Sequence, residues 1–185
     1  MTTPSPVLLV TGGGRGIGAA TARLGAQRGY AVAVNYVSAG AAAEAIQADV
    51  GQPDQIPRLF DETERRLGRV TALVNSAGKT GLASRLEEAS LDDIRSTIDV
   101  NVTGLILATR EGIRRMSRRF GGPGGAIVNL SSAAATLGST GEFVWYAASI
   151  PGGGMTWLIG NPEADLLNGF PMLAVSAANA WSLTG

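Results

Sequence analysis

The sequence predicts an α/β fold of the Rossmann-like, doubly wound type, in which helices cover both faces of a parallel sheet. Short apolar runs alternate along the chain with longer segments that can form helices, and this alternation is typical of parallel sheets. The first apolar run also leads directly into a glycine-rich turn and a helix-forming segment. With 185 residues, 45% of them hydrophobic, the chain can bury the core of one domain.

Composition excludes several kinds of chemistry. Neither cysteine nor histidine occurs, so disulfides, thiolate nucleophiles, imidazole bases and the usual zinc ligands are ruled out, and no metal site is predicted. The 15 basic residues balance the 15 acidic ones, which favours no nucleic-acid partner. The apolar runs are too short for a membrane span or a signal peptide. We therefore expect a cytoplasmic protein that binds neither membrane nor nucleic acid.

The first unit is a strand over residues 7–10, a turn, and a helix that reaches Arg28. The spacing of its glycines, Gly12-x-x-x-Gly16-x-Gly18, is not the usual G-x-G-x-x-G, but the variant of that pattern that ends in alanine fits as Gly14-x-Gly16-x-x-Ala19. In such a unit the backbone N–H groups and the helix dipole favour a phosphate, and glycines let the ligand come close. The stretch predicts a dinucleotide site, with a plain glycine-rich loop as the alternative.

The end of the second strand, over residues 31–36, bears on the choice of cofactor. In nucleotide-binding folds an acidic residue near this point binds the ribose 2′-hydroxyl of NAD. Asn35 and Tyr36 occupy that place here. Without a carboxylate to repel a 2′-phosphate, and with Arg15 able to pair with one, the sequence favours NADP, with NAD as the alternative. Arg15 can also be read as a solvated loop charge.

The connection after the second strand is unusually short. About nine residues separate it from the next apolar run, which begins at Ile46, whereas a parallel crossover with its helix needs roughly 10–12 residues. We therefore expect a helix of at most two turns in this connection, and a third strand that is missing or displaced.

The rest of the chain up to residue 132 continues the alternation. An amphipathic helix places Ile56, Leu59 and Phe60 on one face. The further elements are a strand and turn over residues 70–78, helical segments over 91–102 and 104–120 that form either two helices or one broken helix, a loop over 121–125, and a strand over 126–132.

Five motifs in this order, within residues 7–149, resemble the short-chain dehydrogenase/reductase family. The matching segments are TGGGRGIG at 11–18 for the cofactor loop, Asp49-Val50 for the pair bordering the adenine, NSAG at 75–78 for the family's NNAG, NVTG at 101–104, and NLSS at 129–132 followed by Tyr146. Ser76 replaces the second asparagine of NNAG.

The resemblance implies hydride transfer between NADP, or NAD, and a small-molecule carbonyl or alcohol substrate. It makes Tyr146 the general acid or base. Ser132, with Ser131 as the neighbouring candidate, would bind the substrate oxygen, and Asn101 would help to hold a water chain. The cofactor-binding residues it implies are Gly12, Arg15, Gly16, Ile17, Gly18, Asp49, Val50, Asn75, Ala77 and Gly78.

The resemblance breaks down at Ile150, which stands where the family has a lysine four residues after the tyrosine. The only lysine, Lys79, could reach the cleft as an alternative amine. Pro151 and the glycines at 152–154 interrupt the expected helix. Residues 1–150 are thus expected to form the dinucleotide-binding domain, and 151–185 a tail without family motifs, produced by a frameshift, truncation or fusion, or else a real divergent tail.

Three functions stay open for the sequence. The chain is an NADP-dependent oxidoreductase with impaired activity, a nucleotide-binding pseudoenzyme without turnover, or a non-functional family fragment. We expect the sheet to be incomplete, because no further strands or helices of the family are recognisable after residue 150. Homo-oligomers are usual in the family, but the interruption at Pro151 falls in a helix of the usual dimer interface and makes an oligomer doubtful here.

Overall fold

The computed structural model describes residues 5–38, 45–132, 134–137, 143–150 and 172–175. Six strands in these ranges form one sheet: β1 (Val7–Thr11), β2 (Ala31–Tyr36), β3 (Ala45–Gln47), β4 (Val70–Asn75), β5 (Ala126–Leu130) and β6 (Met172–Val175). The helices are α1 (Gly16–Gln27), α2 (Gln55–Leu67), α3 (Leu91–Ile98), α4 (Leu105–Met116), α5 (Ala134–Leu137) and α6 (Val144–Ser149). Short 3₁₀ turns span Leu86–Glu88 and Arg118–Phe120. None of the helices described here has the length and apolarity needed to cross a bilayer.

Buried side chains alternate between the two faces of the sheet, as β1 illustrates. Val7 and Leu9 pack in a cluster that includes buried residues of α2 and α4. Leu8 and Val10 point the other way, into a smaller cluster with Ala22 of α1. Because successive strand residues face opposite sides, one continuous apolar run fills both layers. The predicted doubly wound parallel sheet is confirmed.

The amphipathic pattern of α2 also gives the predicted packing. Ile56, Leu59 and Phe60 are at most 2% exposed, and all three belong to the larger core cluster. Their spacing of three and four residues places them on one helix face, and this face lies against the sheet and α4.

The third strand is neither missing nor displaced, so that expectation is wrong. β3 is only three residues long, but it pairs in parallel with β2 in the register Val34↔Ala45 to Tyr36↔Gln47. Three residues are enough for β3 to pair with the edge of β2 through backbone hydrogen bonds. The apolar side chain of Ile46 also packs in the larger core cluster. The short helix predicted for the connection falls on residues 39–44, which lie outside the described residues.

Strand order positions the site. The order is β3-β2-β1-β4-β5-β6 and every pairing is parallel, so the chain runs outward from β1 to β3 and then returns to the other side of β1. The carboxyl ends of β1 and β4 therefore border the point where the topology switches direction. Open α/β sheets bind their ligands in this crevice.

The sheet extends beyond the part that the sequence revealed. β6 pairs with β5 from Ile127↔Met172 to Leu130↔Val175, although no strand was recognisable after residue 150. The other residues of the predicted tail, 151–171 and 176–185, lie outside the described ranges.

Candidate functional site

A cavity of about 640 Å³ opens at the switch point of the sheet. It is bounded by the loops after β1, β3 and β4, the end of β2, the turn between α3 and α4, and α6. Ten of the residues predicted for the site line it: Gly12, Arg15, Gly16, Ile17, Asp49, Val50, Ala77, Gly78, Asn101 and Tyr146. Gly18, Asn75 and Ser132 are not among its lining residues.

Gly12 lets the loop after β1 touch the loop after β4. Its φ is +64°, and a methyl group built on it would lie 2.6 Å from the Ala77 Cα. Next to it, the Thr11 hydroxyl accepts hydrogen bonds from the N–H groups of Ser76 at 3.2 Å and Ala77 at 3.3 Å. Because the atoms that the added methyl group would meet belong to the Ala77 backbone and cannot move aside, only glycine fits at position 12.

Two further glycines of the loop have different tasks. A methyl group on Gly18 would lie 2.6 Å from the Gly12 carbonyl oxygen, so Gly18 supports the turn from behind the cavity. Gly16 has φ +55° and faces no atom within 4 Å. A side chain at Gly16 would enter open space at the cavity wall, where a ligand phosphate could approach the N-terminus of α1.

Asn35 holds the glycine loop in place, a role that the sequence did not reveal. Its side chain is 1% exposed. The side-chain oxygen accepts a hydrogen bond from the Gly12 N–H at 3.3 Å, and the side-chain amide donates to the carbonyl oxygens of Ala48 at 2.8 Å and Ile46 at 3.4 Å. Asn35 thereby joins β1, β2 and β3. The feature of the sequence that could have indicated this role is a polar residue inside an otherwise apolar strand, next to Tyr36.

The loop after β3 is fixed by local bonds. The Asp49 carboxylate accepts a hydrogen bond from the Gly51 N–H at 2.8 Å, and the Asp49 N–H donates to the Gln55 side-chain oxygen at 2.8 Å. Val50 is 5% exposed. A methyl group on Gly104 would collide with the Val50 carbonyl oxygen, so the glycine of the NVTG segment lets α4 approach this loop.

Asn75 supports the cavity from below. It is buried, and its side-chain amide donates to the Thr109 hydroxyl at 3.1 Å and to the Asn129 side-chain oxygen at 2.8 Å. These bonds tie β4 to α4 and β5. The Asn75 amide is thus engaged in this buried cluster, and Asn75 does not line the cavity. Its predicted role in binding the cofactor stays a prediction.

Asn101 joins the loop after β4 to α6. It lies in a π-helical turn, Asp99–Gly104, between α3 and α4, a feature common at functional sites. Its side-chain oxygen accepts from the Lys79 N–H at 2.9 Å, while its amide donates to the Lys79 carbonyl and the Ser149 hydroxyl, both at 2.8 Å. The Ser149 hydroxyl in turn donates to the Tyr146 carbonyl at 2.9 Å.

The helix that carries Tyr146 forms, but it is short. α6 has six residues and ends at Ser149, because Ile150 takes the extended conformation φ −83°, ψ 137°. The residue before a proline avoids the helical region, and Pro151 follows. Tyr146 and Ile150 both line the cavity, so an apolar side chain stands at the position that carries a lysine in the similar family.

Lys79 lines the cavity but is engaged on α3. Its ammonium lies 3.2 Å from the Asp93 carboxylate and hydrogen-bonds the Ser96 hydroxyl. The Leu82 N–H lowers the pKa of Asp93 most, burial opposes this, and Lys79 lowers it further. The structure thus gives Lys79 partners on α3, and no contact with Tyr146 supports its use as the replacement amine in the part of the chain described.

The two candidate serines differ in their surroundings. Ser131 lines the cavity. The Ser132 hydroxyl accepts a hydrogen bond from the Ala134 N–H at 3.3 Å, at the start of α5. The role of Ser132 in binding substrate stays a prediction, and Ser131 stays the neighbouring candidate.

Comparison with known proteins gives the same assignment as the motifs. The family model described as short chain dehydrogenase matches residues 6–153, which is more than half of the chain. The chain is 43% identical over 157 residues to the uncharacterized oxidoreductase YgfF of Escherichia coli, covering 77% of this chain and 64% of that protein. It is 35% identical over 156 residues to a 3-oxoacyl-[acyl-carrier-protein] reductase of Synechocystis, covering 77% and 62%.

Solved structures share the fold. A blue fluorescent protein from a metagenomic library, in complex with NADPH, superposes with a TM-score of 0.78 at 32% identity, covering 94% of this chain and 74% of that one. A short chain dehydrogenase of Burkholderia cenocepacia, in complex with NADP, gives 0.69 at 34% identity, covering 79% and 63%. The chain spans less than two thirds of the length of the two curated relatives, 64% and 62%. With the parallel sheet, the switch-point cavity and the family match over residues 6–153, the chain belongs to the short-chain dehydrogenase family of oxidoreductases.

Proposed function

We propose that the switch-point cavity binds NADP(H), and that the chain is a family oxidoreductase whose hydride transfer to a small carbonyl or alcohol is impaired. The observation that carries the proposal is one continuous cavity lined by ten of the predicted site residues. Two solved relatives that contain NADPH or NADP support the same cofactor class. Residues 1–150 would then form the dinucleotide-binding domain.

The residues at the cavity wall fit the cofactor. Gly16 leaves open space beside the N-terminus of α1, and the exposed Arg15 stands next to it. At the end of β2, Tyr36 supplies no negative charge against a 2′-phosphate. Bound NADPH would supply the hydride. In this arrangement Arg15 binds the 2′-phosphate, and Tyr146 holds the proton that the reduced oxygen requires.

Impairment follows from Ile150. Its apolar side chain gives no positive charge to stabilise a phenolate at Tyr146 and no donor for the cofactor's ribose. Lys79 does not compensate in the structure, because Asp93 and Ser96 hold its ammonium. Nucleotide binding without efficient turnover is therefore the function that this cavity supports best. If turnover is lost completely, the chain is a nucleotide-binding pseudoenzyme.

Arg15→Ala should weaken NADPH binding about tenfold or more and leave NADH binding nearly unchanged, since a hydrogen bond to a charged group is worth about 1.5–3 kcal/mol. Titration of NADPH fluorescence against the purified chain measures this. Arg23→Ala removes a similarly exposed charge from α1, outside the cavity lining, and should change neither affinity. Equal loss for both cofactors would contradict the role of Arg15. Absence of saturable binding to the unmodified chain would contradict the proposed function itself.

Ile150→Lys alone should not restore carbonyl reduction. The new ammonium would start from a residue in extended conformation before Pro151, beyond the end of α6, so it lacks the helical i, i+4 relation to Tyr146. The assay is NADPH oxidation with a panel of small carbonyl compounds, compared with the unmodified chain. Robust turnover by this variant would show that the missing lysine is the sole defect.

A further inference from the structure

Helix α6 carries Tyr146 at the cavity and is held in place by its buried side chains. Tyr146 lines the cavity, as does Ile150 just beyond the end of the helix. Trp145 and Ser149 are 4% and 2% exposed, and because they stand four residues apart within α6 they form its buried face. Because a helix of six residues is far below the length that is stable alone, the direction of Tyr146 depends on how this buried face is held.

The two ends of the buried face are held by different partners. Ser149 is bonded to Asn101 at 2.8 Å. At the other end, the Trp145 indole packs against Gly81, in the loop after β4 whose residues Lys79 and Thr80 line the cavity. Trp145 thus contacts the same loop that forms part of the cavity wall.

Gly81 shows how closely these parts meet. It has φ +80°, and a methyl group built on it would lie 2.5 Å from both the Trp145 Nε1 and the Asp93 Oδ2. These two atoms are therefore no farther apart than twice that distance, a span that one water can bridge. Asp93 Oδ2 already accepts a hydrogen bond from the Leu82 N–H at 2.8 Å. The Trp145 N–H is buried without a hydrogen-bond partner among the described residues.

We propose that Trp145 is a positioning residue that sets the direction of Tyr146, by locking α6 against Gly81 and the Asp93 carboxylate of α3. In this arrangement the indole replaces the support that a longer helix would give, so Tyr146 keeps its place at the cavity although α6 ends at Ser149. The inference deepens the proposed function, since it concerns the Tyr146 wall of the same cavity. Its test does not require a cofactor.

The test follows Tyr146 directly by fluorine NMR of the full chain labelled with 3-fluorotyrosine. Of the three tyrosines in the sequence, Tyr146 is assigned by its loss in Tyr146→Phe. In Trp145→Ala we expect the Tyr146 resonance to move toward its position in the urea-unfolded chain, while Tyr30 and Tyr36 keep theirs and report an intact fold. Trp145→Phe retains the ring and should keep most of the native shift.

If Trp145→Ala does not fold, glycine variants test the same contact from the side of Gly81. Gly81→Ala should move the Tyr146 resonance, whereas Gly121→Ala should not, because Gly121 has a similar φ of +76° but no atom within 4 Å. A native Tyr146 resonance in Gly81→Ala and in folded Trp145→Ala would overturn the proposal, as would equal shifts in the two glycine variants. If the unmodified chain binds no NADPH but Tyr146 shifts as expected, the proposed function fails and the role of Trp145 is supported.

Discussion

Gly12→Ala should lower the free energy of unfolding by about 3 kcal/mol and abolish nucleotide binding. The left-handed backbone costs a residue with a side chain about 1–2 kcal/mol, and forcing extra volume into a packed site costs about 1–3 kcal/mol. The added methyl group would lie 2.6 Å from the Ala77 Cα and 2.7 Å from its nitrogen. Because these atoms are backbone, the only relief is to separate the two loops that form the cavity wall.

Gly29→Ala is the matched control for this prediction. Gly29 has φ +86° and no atom within 4 Å, so the variant carries the backbone strain without the collision and should lose only about 1–2 kcal/mol. Urea unfolding followed by circular dichroism gives both values, and NADPH titration of each folded variant gives the effect on binding. If Gly12→Ala loses no more stability than Gly29→Ala, the close approach of the two loops is not a feature of the molecule.

The fold was largely predictable because its signals are local. The apolar run of β1 predicts a strand that is buried on both faces, and the i, i+3, i+4 pattern of α2 predicts one buried face. The structure places both elements accordingly. The short strands were harder to predict. β3 and β6 contain three and four residues, which is too little for periodicity to separate a strand from a loop or a helix turn. Their pairing with β2 and β5 decides their conformation.

The site was predictable as a set of loops but not as a set of side-chain directions. The glycine turn and the loop after β4 follow the motifs, and they meet in one cavity. Ser131 and Ser132 are adjacent in the sequence, and only the structure shows that Ser131 lines the cavity whereas Ser132 does not. Asn75 carries a motif position, yet its amide is turned toward Thr109 and Asn129. Such choices depend on partners far along the chain, which no local pattern specifies.

For Asn35 and Tyr36, too, the sequence does not specify the direction of the side chains, and this affects which substitution should change the cofactor preference. On sequence alone both are candidates for the position that discriminates NAD from NADP. Asn35→Asp should lower the free energy of unfolding by about 3–5 kcal/mol without a switch to NADH, because it would bury an uncompensated charge. The carboxylate would face the carbonyl oxygens of Ala48 and Ile46, to which the Asn35 amide now donates.

Tyr36→Asp should instead change the cofactor preference and leave the fold nearly unaffected. Both residues line the cavity, but Asn35 is 1% exposed whereas Tyr36 is only partly buried. A carboxylate at position 36 therefore stays solvated and lies where it can accept a hydrogen bond from a ribose 2′-hydroxyl and repel a 2′-phosphate. We expect the ratio of NADPH to NADH affinity to fall roughly tenfold or more, equivalent to about 1.4 kcal/mol. The measurements are urea unfolding and fluorescence titration with both cofactors for the two variants. A switch of preference in a stable Asn35→Asp variant would show that Asn35 faces the ligand, and not the carbonyls of the third strand.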